Sequence, residues 1–191
     1  MDDVDNLLKD LTSKNDEKAE AAVRKLSAYG PEAVPVLQEL LGSSDADSRW
    51  WAVWALGEIK DPRVPALLRQ ALHDPDAAIQ QCAALALRQQ PDPQAIPDLV
   101  ELLDANDRSL AHLAAAALIA LGGDSVPPLL ETMQKGSHRA KLEAVRTLAM
   151  IGDPRAIPVL FEALSKDSAL MEFWASEGLD RMGVGMTFFK T

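Results

Sequence analysis

The sequence predicts an all-α protein, an α-α superhelix built from six helical hairpins in tandem, and three columns of residues predict it. Leucines recur at intervals of 30 or 31 residues: Leu26, Leu56, Leu87, Leu118, Leu148 and Leu179. Four positions before each stands an alanine: Ala22, Ala52, Ala83, Ala114, Ala144 and Ala175. Eleven positions before each stands a helix-capping residue: Asn15, Asp45, Asp76, Asp107, Ser137 and Ser168. Self-similarity at a period of about 20–50 residues marks a repeat architecture, in which each unit buries its apolar face only against its neighbours.

Within each repeat the second helix, helix B, begins at the capping residue, whose side chain accepts hydrogen bonds from first-turn amides that have no intrahelical partner. The Ala and Leu lie one turn apart on one face, and the small Ala lets a neighbouring helix come close. The apolar stripe continues three residues past the Leu with Tyr29, Ile59, Leu121, Ile151 and Met182, and Gln90 breaks it in the third repeat. The first helix, helix A, is anchored by Leu7, Leu37, Leu67, Leu99, Leu129 and Leu160. Asp61-Pro62, Asp92-Pro93 and Asp153-Pro154 read as an N-cap followed by proline at the first helical position. A further proline at Pro35, Pro65, Pro97, Pro127 and Pro158 is expected to remove an early backbone bond and bend helix A; the first repeat has Asp5 there. The repeats run over residues 1–30, 31–61, 62–92, 93–123, 124–153 and 154–183, as one solenoid with a C-terminal tail over 184–191. Stacking predicts a curved rod of two helical layers. Asp2, Asp3 and Asp5 suit a polar outer face at one end, and Met186, Phe188 and Phe189 in the tail suit a lid over the last repeat or a docking segment. No strand-like alternation is present.

Composition narrows the function classes. The chain has 191 residues, 48% hydrophobic and 25% charged, which suits a folded protein with a core. Its net charge of −10 repels a nucleic-acid backbone, and no basic stripe overcomes it, so no nucleic-acid partner is expected. No stretch is read as approaching the roughly 18 apolar residues of a membrane span, so no membrane partner is expected. Cys82 is the only cysteine and excludes an internal disulfide. With the acidic start Met1-Asp2-Asp3-Val4-Asp5, this fits a cytoplasmic protein.

Two segments carry a resemblance. Ala-Leu-Gly-Glu-Ile-Lys-Asp-Pro-Arg (55–63) and Leu-Ala-Met-Ile-Gly-Asp-Pro-Arg-Ala-Ile-Pro (148–158) are similar to the HEAT-like repeats first named from phycobilisome bilin lyases. The resemblance covers nearly the whole chain and implies the superhelical fold; such repeats serve many binding roles and imply no single activity. The family often carries an Arg near the start of helix B that pairs with acids of adjacent repeats. Only Arg49 keeps it here, so no continuous ladder of such pairs is expected.

Four columns of helix B are not needed for packing: six, five and two residues before the register Leu, and two after it. They hold Glu20, Ala21, Arg24 and Ala28; Trp50, Trp51, Trp54 and Glu58; then Gln81, Cys82, Leu85 and Gln89. The later repeats place His112, Leu113, Ala116 and Ala120; Leu142, Glu143, Arg146 and Met150; and Phe173, Trp174, Glu177 and Arg181. By the resemblance these positions line a concave side. All four tryptophans lie there, and a large exposed apolar patch marks a binding site. The expected groove starts at Trp50, Trp51 and Trp54 and extends through Leu85, Leu113 and Leu142 to Phe173 and Trp174. Glu58, Glu143, Arg146 and Arg181 would orient an occupant, with Cys82, His112 and Glu177 on the same face. Charges along the columns nearly cancel, which favours an apolar or mixed ligand over a polyanion.

No catalytic constellation, metal-binding spacing or cofactor motif is found. The three histidines lie in different repeats, Gly183-Val184-Gly185 lacks a phosphate-loop context, and a lone Cys82 is more often inert than reactive. The reading is therefore a non-enzymatic scaffold for a protein or peptide. The alternative, from the similarity of 49–57 to an aromatic-rich helix of the bilin lyases, is a lyase-like protein that handles an open-chain tetrapyrrole.

Overall fold

A computed structural model describes residues 2–165 and 168–184, with only the backbone described at residues 2, 3 and 5. The expectations for the tail beyond Val184 and for the acidic side chains of Asp2, Asp3 and Asp5 lie outside the described residues.

All regular structure among these residues is helical. Six second helices follow their caps: α2 (Asp16–Tyr29), α4 (Ala46–Gly57), α6 (Ala77–Gln89), α8 (Arg108–Leu121), α10 (His138–Ile151) and α12 (Ala169–Arg181). In each, the side chain of the expected capping residue accepts from a first-turn amide, for example Asp45 from the Ser48 amide at 3.0 Å. The first helices are α1 (Asp2–Leu11), α3 (Val34–Leu40), α5 (Val64–Ala71), α7 (Ile96–Glu101), α9 (Val126–Lys135) and α11 (Ile157–Ala163). Contacts divide the chain into two units, Met1–Gln90 and Pro91–Thr191. In the first unit α1 packs on α2, α3 on α4 and α5 on α6, and the second helices pack in the order α2, α4, α6. In the second, α7 packs on α8, α9 on α10 and α11 on α12, with α8, α10 and α12 in contact in turn.

The three columns form the core. The six column alanines, the six register leucines and the helix-A leucines are all buried. Where second helices meet, the contact is backbone-close. A Cβ on Gly57 would lie 3.0 Å from the Ala86 Cβ, and one on Gly178 would lie 2.7 Å from the Ala149 Cβ and 2.8 Å from its Cα. Both contacts join the residue just after one register Leu to the residue just before the next.

The prolines act differently from the expectation. Pro35, Pro65, Pro97, Pro127 and Pro158 are each the second residue of their α-helix. First-turn amides have no intrahelical acceptor, so these prolines start the helix and do not bend it. The Asp-Pro steps lie earlier still. Asp92 and Asp153 cap 3-10 turns, Pro93–Ala95 and Pro154–Ala156, that lead into α7 and α11.

Polar side chains fasten neighbouring hairpins. Arg63 is held by Asp61 at 2.7 Å and donates to the Pro31 carbonyl at 2.8 Å; Arg155 is held by Asp153 and donates to the Gly123 carbonyl at 2.8 Å. The neighbouring guanidinium holds the carboxyl of Asp61, and that of Asp153, down at about 2. Arg49 forms a bidentate pair with Asp74 (2.7 and 2.9 Å) that is nearly buried, and its guanidinium lowers the Asp74 pKa. Gln90, which interrupts the apolar stripe, donates to the carbonyls of Gly57 and Ile59 at 2.7 and 3.1 Å, so it satisfies the end of the preceding second helix.

One expectation is corrected. The run Arg108–Lys135, 28 residues, is long and apolar enough by length and composition to cross a membrane. It is so apolar because α8 carries alanine and leucine for packing on two sides. The 3-10 turn Gly122–Ser125, entered at Gly122 with φ 62°, breaks the run into α8 and α9, of 14 and 10 residues. Helices of that length reach only about 21 and 15 Å, short of a bilayer core of about 30 Å.

The Gly178–Ala149 contact yields a test with a definite sign. At an open helix position Gly→Ala stabilises by up to about 1 kcal/mol. Here the added methyl must push backbone away, so Gly178→Ala is expected to lower stability by about 1–3 kcal/mol in denaturant unfolding. A raised midpoint would show that the two helices are not in backbone contact.

Candidate functional site

The four columns left over from packing contain no fully buried residue. This is the register expected if they face away from the core. The candidate residues fall into both units, and each unit gathers its own cluster.

In the first unit, Trp50, Trp51 and Trp54 are consecutive neighbours on the surface of α4 and touch one another. Trp50 meets Trp51 edge to face at 4.9 Å between ring centroids and Trp54 at 5.1 Å. Trp51 and Trp54 stack at 5.1 Å with their planes 10° apart. Such pairs contribute about 0.5–1.5 kcal/mol each beyond area burial. All three indoles are half-buried: they shield each other while keeping outer faces in solvent. A cavity of about 410 Å³ opens on them, completed by Asp16 and Glu20 of α2 and Asp47 of α4. Glu58 and Leu85 are exposed. Cys82 is half-buried, and burial pushes its thiol up to about 12, which leaves it protonated and a poor nucleophile.

In the second unit a polar and aromatic chain crosses three second helices. His112 Nε2 of α8 lies 3.1 Å from Glu143 Oε1 of α10, and the other Glu143 oxygen accepts from Arg146 at 3.4 Å. The Arg146 guanidinium sits over the Trp174 ring of α12 at 5.3 Å, and Phe173 meets Trp174 edge to face at 5.1 Å. Phe173 is 56% exposed, unusual for its type. Leu113 and Leu142 are half-buried on the same face, Glu177 is exposed, and Arg181 donates toward the Met150 sulfur at 2.9 Å.

Sequence reasoning missed Asp16 and Asp47. They stand one and two residues after their caps, where an acidic residue is explained by the helix dipole. Their shared cavity with the indoles follows from α2 lying against α4, which the columns imply but do not spell out. A larger hollow, about 670 Å³, lies between α7 and α9 along Pro93, Ile96, Pro97, Val100 and Pro128. It contains no aromatic ring and no charged pair beyond Glu131–Lys135.

Capped second helices, proline-started first helices and backbone-close joints define a repeat protein of the helical-hairpin class. The family described as HEAT repeats matches residues 4–77, 64–120 and 107–180, and the chain belongs to it. A phycocyanobilin lyase subunit beta from Pseudanabaena tenuis is 43% identical over 53 residues, 28% of this chain and 19% of that relative. A subunit of the same name from a Nostoc species is 42% identical over 52 residues, 27% of this chain and 26% of that relative. The chain thus matches about a quarter or less of the length of these relatives. Among solved structures, the complex of CpcE and CpcF of phycocyanin lyase from Nostoc has a TM-score of 0.60 at 19% identity, over 75% of this chain and 96% of that one. A designed armadillo repeat protein solved with the peptide (KR)4 has a TM-score of 0.53 at 19% identity, over 93% and 98%. At these identities the structural likenesses establish the fold alone: an α-α superhelix of the HEAT and armadillo type.

The stacked indoles have an optical consequence. Close transition dipoles couple, so the circular dichroism of the indole bands should show an exciton couplet. Trp54→Leu removes two of the three ring pairs, so it should change the couplet to that of the remaining Trp50–Trp51 pair and leave helicity intact. A spectrum unchanged by that substitution would mean the rings are not stacked.

Proposed function

We propose that the protein is a non-enzymatic scaffold that binds a protein or peptide through the second-helix face, with Trp50, Trp51 and Trp54 as its anchor. The observation that carries this reading is the half-exposed triple-tryptophan cluster with a cavity beside it. Indoles combine a large rigid apolar body with one N–H donor, and hot spots at interfaces are enriched in them. The fold supports the reading, because its packing columns leave this face free of structural duty. The high thiol pKa of Cys82 counts against covalent chemistry at the only cysteine. A second reading, binding of an open-chain tetrapyrrole in the manner of a bilin lyase, is favoured by the names of the curated relatives.

One pair of measurements separates them. Trp50→Ala with Trp54→Ala should remove at least about 2 kcal/mol of partner affinity per tryptophan, read as loss of partner in affinity capture by tagged protein from source cells. The thermal midpoint should fall by only a few degrees. Mixing with phycocyanobilin should leave the absorbance of the pigment unchanged. Undiminished capture, or a collapse of the fold, would overturn the scaffold reading. A shifted and intensified bilin spectrum that depends on the tryptophans would establish the second one.

A further inference from the structure

The cavity beside α4 has walls of two kinds only. Trp50, Trp51 and Trp54 supply π faces, and Asp16, Glu20 and Asp47 supply carboxylates; no basic residue lines it. The charge around it is unbalanced. Four carboxylates, those of Asp16, Glu20, Asp45 and Asp47, are served by two cations: Lys14 reaches Asp45 and Asp47, and Arg24 reaches Glu20 at 2.7 Å. Asp16 carries no ion pair among the described residues, and the chain as a whole has a net charge of −10.

The second unit contains the arrangement that such walls favour. There a guanidinium, Arg146, lies over an indole, Trp174, while a carboxylate, Glu143, accepts from it. In the register of the repeat Arg24 stands to Trp51 as Arg146 stands to Trp174. Arg24, however, is 66% exposed at its side chain and is drawn along its own helix to Glu20. No cation of the described residues is seated on the three indoles of α4.

We propose that this cavity receives an arginine side chain from a basic segment of a partner protein. The guanidinium lies flat on an outer indole face while its N–H groups donate to Asp16 and Asp47. A planar cation matches both requirements at once: it stacks on an aromatic face and donates in a fork to carboxylates. An anionic ligand would be repelled by the carboxylates and by the electron-rich indole faces, and a purely apolar one would strip water from the carboxylates without replacing the hydrogen bonds. This names the chemistry of the partner at the anchor of the scaffold reading, and it rests on that reading.

The test is a fluorescence titration of the full chain with three peptides of equal length. One alternates arginine and glycine, one carries citrulline in place of arginine, and one is a neutral amphipathic helix. Citrulline keeps the planar shape and removes the charge. The arginine peptide should bind and alter tryptophan emission, the citrulline peptide should bind about tenfold more weakly or worse, and salt should weaken the arginine complex. Asp16→Asn, at an exposed position with no packing role, should weaken arginine-peptide binding about threefold to tenfold, and Trp50→Ala at least as much. Equal binding of the arginine and citrulline peptides, or arginine binding indifferent to both substitutions, overturns the proposal. If the neutral helix alone binds, and does so through Trp50, the arginine proposal falls and the scaffold reading stands. If none of the three alters the emission, the cavity is not an arginine site.

Discussion

Within each unit the second helices pack on one another in turn, at backbone distance where α4 meets α6 and α10 meets α12, and the remaining features of each unit follow from that approach. It requires a small residue one turn before every register leucine, and Ala22, Ala52, Ala83, Ala114, Ala144 and Ala175 provide it. Beside the register leucine the approach is closer still at two joints, where Gly57 lies against Ala86 and Gly178 against Ala149. Helices held this close can share leucine layers with no wide side chain between them. Each helix then spends one face on its neighbours, a second on its own hairpin partner, and keeps a third. Arg63, Arg155, Gln90 and the Arg49–Asp74 pair complete the joints by satisfying loop carbonyls and helix ends that the close approach would leave without partners.

The kept face is where function has room to vary. No residue of its four columns is fully buried, so a substitution there is less constrained by the packing of the fold. The two units have used this freedom differently. The first concentrates three indoles on one helix and surrounds them with carboxylates from two. The second distributes its groups over α8, α10 and α12 and pairs them internally, His112 with Glu143, Glu143 with Arg146, and Arg146 with Trp174. A cluster already saturated by its own partners offers less to an incoming chain than one whose acids outnumber its cations. That contrast supports the proposal that the first unit holds the anchor.

Much of the fold was legible in the sequence because caps and packing columns are local and periodic. Asn15, Asp45, Asp76, Asp107, Ser137 and Ser168 cap where the columns place them, and the buried leucines and alanines are those of the columns. What escaped is what depends on geometry across a joint. The prolines of the first helices read as bends in the sequence, and their place as the second residue of each helix makes them starts. Gln90 looked like a flaw in an apolar stripe, yet its amide closes the helix of the preceding hairpin. The run from Arg108 to Lys135 is apolar enough to pass for a membrane span, and only the turn at Gly122 divides it. The tryptophan face was legible as a face. Its acidic partners were not, because Asp16 and Asp47 sit at first-turn positions where the helix dipole already accounts for an acid.

The central claim is that the alanine column and the open columns differ in kind, one filled by the neighbouring helix and the other facing solvent. The same substitution made in both tests it most directly. Ala83→Leu and Ala144→Leu place three extra carbons in a contact with 0% exposure, and should each lower unfolding stability by about 1–3 kcal/mol. Ala28→Leu and Ala120→Leu, at exposed positions of the open column, should each stay within about 0.5 kcal/mol of the parent. Equal losses at the four positions, or larger ones at Ala28 and Ala120, would contradict the division of each helix into a packed face and a free one.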